Sequence, residues 1–174
     1  NSFLEQTNPE TLIAVAGMLA NLELSDANDA LAKIYNTNSN VKVRVAVLPA
    51  LNQLKYKEID SAIKAGMEDK EESLRTVALG LLNNSNVSKA SLPAIVQAVF
   101  GKGSTREQQQ LLVVMGKLDL AKTESILGDL VQQMEDKKLS PNLRLELKEA
   151  IDASGSASLK AKMAALKPGV TLMD

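Results

Sequence analysis

Carboxylates, amines, guanidinium groups and hydroxyls are the side chains of this sequence that could do chemistry, because its 174 residues include no His and no Cys. Their absence removes thiol nucleophiles, Ser-His and Cys-His pairs, most zinc sites, and haem ligation by His or Cys. Carboxylate pairs remain, such as Glu146 with Glu149, but almost any acidic helix supplies such pairs. The sequence therefore predicts no catalytic residue, no cofactor-binding residue and no metal ligand, and we expect this chain not to be an enzyme.

The densest group of carboxylates lies in residues 68–72, which read Glu-Asp-Lys-Glu-Glu. This spacing matches no calcium loop, and no glycine is present where such a loop would turn. Acidic residues are favoured at helix N-termini by the helix dipole, and Asp69 with Glu72 fits a capping box. We interpret this group as the start of a helix rather than as a metal site.

Arginine is the second residue type that recurs in a pattern. Arg44, Arg75 and Arg106 are evenly spaced along the chain, and Arg144 follows later. These side chains could form a cationic ladder for an acidic partner. They could instead pair with neighbouring carboxylates or backbone carbonyls, which is the usual outcome for charges on a helix surface and is therefore favoured.

The arginines belong to an internal repeat. An arginine followed by small and apolar residues recurs in segments 43–51, 74–82 and 106–115. In the first two segments an apolar residue directly precedes the arginine. A repeat period of roughly 20–50 residues is typical of stacked repeat proteins. The period here, about 31 residues, gives a helical repeat room for two short helices and two turns.

Apolar stripes at helical spacing divide the chain into five pairs of helices, with no strand-like alternation. The stripe of Leu92, Ile95, Val96 and Val99 is an example. Helix starts are indicated by Asn8-Pro9 and by a second capping box, Ser104 with Glu107. We therefore predict an all-α fold with more than about 60% helix, whereas an average globular protein has about a third.

Composition limits the partners of the chain. Aromatic residues make up only 2% of it, so the core must consist of Leu, Val, Ile, Ala and Met. The net charge of −1 supplies no global field that would attract nucleic acid, and no apolar run is long enough for membrane insertion.

The sequence opens with Asn1-Ser2-Phe3 and without a signal peptide, and we interpret it as a segment of a longer protein.

At the repeat, the chain resembles HEAT repeats, whose first helix often reads Val-Arg, then Ala, then Ala-Leu-Gly. Val43-Arg44 with Ala46 matches the start, Leu74-Arg75 with Ala78-Leu79-Gly80 matches most of it, and Met115-Gly116 matches the end. A proline inside the first helix, here Pro49, is also common in the family. In the fourth pair the register slips by one after Arg106, and glutamines at 108–110 replace small apolar residues.

This resemblance covers about residues 8–166. It implies a right-handed α-α superhelix of about five helix pairs, forming a single domain over 8–166. Residues 167–174 would then be an extended C-terminal tail or linker. The resemblance also implies a non-catalytic scaffold that binds a protein or adjacent domains of the same chain. A HEAT-like protein that acts on DNA would need a basic groove with aromatics, so we expect no nucleic-acid partner.

In HEAT stacks the second helix of each pair lines the concave face. By this resemblance, seven polar positions of the second helices are the candidate concave-face contacts: Lys57, Asp60, Lys64, Gln97, Asp129, Gln132 and Gln133. This predicted groove is mixed in sign and short of aromatics, which usually anchor tight interfaces. We therefore expect a weak or intramolecular contact.

The leucine-, asparagine- and lysine-rich composition is also similar to HEAT segments inside large bacterial periplasmic proteins. Those proteins join a sugar-dehydrogenase-like propeller, a HEAT segment and a c-type cytochrome domain. The second resemblance implies an alternative function, a structural spacer arm in such a fusion enzyme, and a periplasmic location. The haem motif of that family needs Cys and His, so none of its chemistry transfers to a residue here.

Overall fold

The computed structural model describes residues 7–84 and 90–166, and their regular structure is entirely helical. Helix makes up 80% of the structure, which exceeds the predicted minimum, and the described residues contain no strand. The all-α fold class is therefore confirmed. The predicted extended tail, residues 167–174, lies outside the described residues.

Ten α-helices occupy the described residues, two for each predicted pair. The first helices of the pairs are α1 (Pro9–Asn21), α3 (Val41–Gln53), α5 (Glu72–Leu81), α7 (Thr105–Lys117) and α9 (Arg144–Ser154). The second helices are α2 (Asn28–Thr37), α4 (Ile59–Met67), α6 (Leu92–Lys102), α8 (Leu120–Glu135) and α10 (Ala157–Ala165). Short 3-10 turns span Ser25–Ala27, Leu82–Asn84 and Pro141–Leu143.

Two of the predicted helix starts are confirmed. The side chain of Asn8 accepts a hydrogen bond from the backbone N–H of Glu10 at 2.8 Å, and Pro9 is the first helical residue. Ser104 and Glu107 form the predicted capping box, with reciprocal bonds of 2.8 and 3.3 Å. These caps satisfy backbone donors that a helix leaves without internal partners.

The capping box predicted for Asp69 and Glu72 is wrong. Helix α5 begins at Glu72, directly after Glu71, whose side chain makes no capping bond. The carboxylate of Asp69 accepts instead from the backbone N–H of Glu71 at 2.9 Å and from Arg44. Asp69 therefore lies in the loop before α5, where its carboxylate makes charge-assisted bonds to a guanidinium and to a backbone N–H at the same time.

The chain divides into two compact units, with the boundary between Val87 and Ser88. In the first unit, α1 packs against α3 and α3 packs against α5, so first helices lie beside first helices. Helix α2 packs against α3, and α4 packs against both α3 and α5. The second helices are thus held mainly by the first helices of this unit.

In the second unit the most extensive contact joins the first helices α7 and α9. Helix α6 packs against α7, and α8 packs against both α9 and α10. The third predicted pair contributes α5 to the first unit and α6 to the second. The single domain predicted over 8–166 stays a prediction.

The core of both units is aliphatic, as the composition predicts. Its fully buried large side chains are leucines, isoleucine and methionine, for example Leu48, Leu79, Leu112 and Met115. Tyr35, with 5% of its surface exposed, is the one aromatic side chain among the buried residues that the structure describes. Such a core suits helices that pack closely through small and branched side chains.

Candidate functional site

The seven predicted contact residues all have exposed side chains. In the first unit, Lys57 lies in the turn before α4, while Asp60 and Lys64 are one helical turn apart on α4. Residues four apart on a helix share a face, so Asp60 and Lys64 point to the same side of α4. This part of the predicted surface combines one carboxylate with two amines.

In the second unit, Gln97 lies on α6, whereas Asp129, Gln132 and Gln133 lie on α8. The amide of Gln132 donates to Glu135 at 3.3 Å and to Asp136 at 3.0 Å, so it is partly engaged within its own helix end. Each unit thus presents its own exposed polar positions on second helices. Their assignment to one concave groove stays a prediction.

A small cleft lies between α2 and α4 in the first unit. Its volume is about 120 Å³. The cleft is lined by small and aromatic side chains together with three polar ones: Ala32, Tyr35, Asn36, Leu51, Tyr56, Glu58, Ser61, Ala62 and Ala65. Both tyrosines of the chain meet here. The expectation that the second-helix surface is short of aromatics is therefore incomplete for this unit.

Tyr35 ties the two walls of the cleft together. Its hydroxyl, on α2, donates to the backbone carbonyl of Ala62, on α4, at 3.0 Å. The pKa of Tyr35 is raised to about 12, and burial of the phenol is the main cause. The charge of Arg44 opposes this increase, and the charge of Asp69 adds to it. The phenol therefore stays protonated at neutral pH and remains a hydrogen-bond donor in the wall of the cleft.

The size of the cleft determines what it can hold. Its volume is well below the roughly 300 Å³ at which sites for drug-sized ligands begin. A single side chain of a partner protein would fit. The half-buried ring of Tyr56 offers an apolar and aromatic surface, and the exposed carboxylate of Glu58 adds a negative charge.

The recurring arginines form pairs rather than a free cationic ladder. Arg44 donates to Asp69 at 2.5 and 3.4 Å, and both side chains are only 17% exposed. Arg75 donates to the backbone carbonyls of Asp69 and Lys70, each at 2.9 Å. Two arginines from neighbouring first helices thus hold the loop between α4 and α5: Arg44 binds a carboxylate of the loop, and Arg75 binds its backbone carbonyls.

Arg144 follows the same pattern in the second unit, where it donates to the carbonyl of Leu166 at 2.9 Å. Arg106 departs from this pattern. Its side chain is exposed and has no hydrogen-bond partner among the described residues. Gln108 takes its place. It is the fourth residue of α7, as Arg44 is of α3 and Arg75 of α5, and its amide donates to the carbonyls of Phe100 and Gly103 at 3.4 and 3.3 Å.

The assignment of Arg106 to the repeating row is therefore corrected to Gln108, two residues later. In α3, α5 and α7 the fourth helical residue, which is Arg44, Arg75 or Gln108, donates N–H groups to a loop next to its helix. The glutamines at 108–110 depart from the repeat pattern of the sequence, and the first of them, Gln108, supplies this donor in α7. Helix starts, rather than arginine spacing, are the signal that would have found it.

Comparison of the chain with known protein families, curated proteins and solved structures found no match. Residues 7–84 and 90–166 contain no group of three His, Cys, Asp or Glu side chains arranged to hold a metal ion. Across the same ranges, none of the helices has the length and apolar character needed to cross a membrane.

Proposed function

We propose that this chain is a non-catalytic scaffold of HEAT-like helix pairs that binds a protein segment through its second helices. The proposal is supported chiefly by the cleft between α2 and α4, which is walled by both tyrosines and flanked in sequence by the exposed Lys57 and Asp60. Aromatic side chains in partly desolvated positions are common anchors of protein interfaces. The right-handed superhelix of five pairs is part of the same proposal.

The packing of first helices on first helices within each unit also supports a repeat scaffold. The second helices carry exposed polar residues, among them Asp60, Lys64 and Gln133. A segment of extended or helical chain from a partner, or from an adjacent domain, would lie along these residues. Tethering to an adjacent domain would raise the effective concentration and allow a weak contact to persist.

Site-specific crosslinking tests the proposal, and the absence of native cysteines makes it clean. Single cysteines that carry a photoactivatable crosslinker are placed at Lys57, Lys64 and Gln133, with Lys42 on α3 and Arg106 on α7 as controls. All five positions are exposed. After the purified, labelled chain is added to an extract of the cells that make this protein, we expect one discrete product from the second-helix positions and none from the controls.

Substitution of Tyr56 by Ser should then weaken the product formed from Lys57 and Lys64, because it removes the half-buried aromatic wall of the cleft. Products that arise at Lys42 and Arg106 instead would assign binding to the first helices. That result would reject the second-helix surface.

A further inference from the structure

The exposed apolar side chains of the described residues concentrate at one edge of the first unit. Four of the six large ones lie on α1 or in the turn after it: Val15, Met18, Leu22 and Leu24, which are 36%, 55%, 61% and 47% exposed. Val15, Met18 and Leu22 are spaced by three and four residues, so they form one stripe along the helix. We call these three residues the α1 face.

Helix α3 shows what the fold does with the equivalent face. Helices α1 and α3 both have 13 residues. Two residues after the last residue of each helix, at Glu23 and at Lys55, the backbone has a φ of 54°. The two helices therefore align from their first residues to the turns that end them. Under this alignment the α1 face corresponds to three buried positions of α3: Val47, Ala50 and Leu54.

The α1 face is exposed and its counterpart on α3 is buried because the two helices have different numbers of neighbouring first helices. Helix α3 lies between α1 and α5, whereas α1 packs against α3 alone among the described first helices. The α1 face is apolar, and it matches a face that this fold covers with a helix. A helix laid along α1, as α1 is laid along α3, would restore the burial that α3 has.

The charges of the elements that carry and follow the α1 face indicate what kind of helix fits. The exposed carboxylates of Glu10, Glu23, Asp26 and Asp29 lie on α1 and α2 and in the turn between them, and the first basic residue of the chain is Lys33. A second copy of the chain would bring like charges together if it packed through this face. Three or four side chains are also far less than the roughly 800 Å² per partner of a stable dimer.

We propose that the α1 face docks a basic amphipathic helix of a partner protein. Its apolar residues, at spacings of three and four, would cover Val15, Met18 and Leu22, and its Lys or Arg residues would face the surrounding carboxylates. This contact uses a first helix at the edge of the unit, so it does not depend on the second-helix surface proposed above.

A synthetic helix tests the docking on the whole chain. The probe is a fluorescein-labelled peptide of about five helical turns, with leucines along one face and lysines elsewhere, and binding is followed by fluorescence anisotropy. Met18→Asp and Leu22→Asp should each weaken binding at least tenfold, since each replaces an apolar contact by a carboxylate that the leucines of the docked helix would bury. Leu145→Asp is the matched control, because Leu145 on α9 is 62% exposed and should leave binding unchanged.

Two further peptides separate the stripe from the charge. A peptide of the same composition with its leucines scattered around the helix should bind at least tenfold more weakly, and so should one with glutamate in place of lysine. Equal binding of either peptide, or an equal loss with Leu145→Asp, would overturn the proposal. A dimer in sedimentation velocity that Met18→Asp dissociates, or much tighter peptide binding by a chain beginning at Thr7, would assign the face to a second copy or to residues 1–6 and would also overturn it.

Discussion

The guanidinium of Arg44 and the carboxylate of Asp69 join α3 to the loop between α4 and α5, across 25 residues of sequence. The two side chains meet through both oxygens and both terminal nitrogens, at 2.5 and 3.4 Å. Arg75 donates to two backbone carbonyls of the same loop, those of Asp69 and Lys70. This loop is therefore fixed by two successive first helices, although it contains only polar residues.

Removal of the Asp69 charge should destabilise the chain in a pH-dependent way. The side-chain hydrogen bond from Arg44 is the main cause that lowers the pKa of Asp69 below its ordinary value. Stability from a depressed pKa is present above the unfolded pKa, about 4, and is lost as the pH falls through the folded pKa. We expect Asp69→Asn to cost about 1–3 kcal/mol at pH 7 and progressively less as the pH falls below about 4.

Urea unfolding of both proteins over this pH range measures the difference. Asp129→Asn is the control, since Asp129 is exposed on α8 and should change stability by less than about 0.5 kcal/mol. A cost of Asp69→Asn that stayed constant down to pH 3 would show that the charge is not what Arg44 stabilises.

Ile95 should be a main core contact of α6. It lies in the stripe of Leu92, Val96 and Val99, with 4% of its surface exposed. Ile95→Ala should cost about 2–5 kcal/mol in a thermal or urea melt, because it removes buried methyl groups and leaves a cavity. Gln97→Ala, on the exposed side of the same helix, should stay within about 0.5 kcal/mol. Similar effects from both would mean that the stripe does not face the core.

Gly116 should not tolerate a methyl group. A Cβ at this position would lie 2.9 Å from the Cα of Ala150 and 3.1 Å from its carbonyl oxygen, so α7 and α9 would have to separate. Gly116→Ala should destabilise by about 1–3 kcal/mol through overpacking. Gly17→Ala on α1 is the matched comparison: nothing lies within 4 Å, and it should stabilise by about 0.4–1 kcal/mol. Melting temperatures that shift in the same direction would contradict the close approach.

Lys55 should be replaceable by glycine with a gain in stability. It follows α3 with a φ of 54°, a left-handed conformation that is strained for a residue with a side chain. Lys55→Gly should therefore stabilise by about 0.5–1 kcal/mol, despite the extra freedom of glycine in the unfolded chain. Lys42→Gly, inside α3, should instead destabilise by about 1 kcal/mol. Chemical denaturation distinguishes the two, and a loss with Lys55→Gly would show that the turn gains from its lysine.

The sequence by itself determined the helices and their inward faces. Apolar spacing predicted the stripe of Ile95, and capping chemistry predicted the starts at Asn8 and Ser104, because both depend on residues within one or two helical turns. The absence of His and Cys also set the chemistry that the chain lacks.

Tertiary structure decided the partners of the polar and small residues. Asp69 was predicted as a local cap, but its carboxylate binds Arg44, 25 residues away, and the N–H of Glu71. Tyr35 and Tyr56 meet in one cleft only because α2 and α4 adjoin it, and Gln108 replaces Arg106 because α7 begins at Thr105. The exposure of Met18 follows from the position of α1 at the edge of its unit. Such contacts depend on which helices become neighbours, which local spacing does not encode.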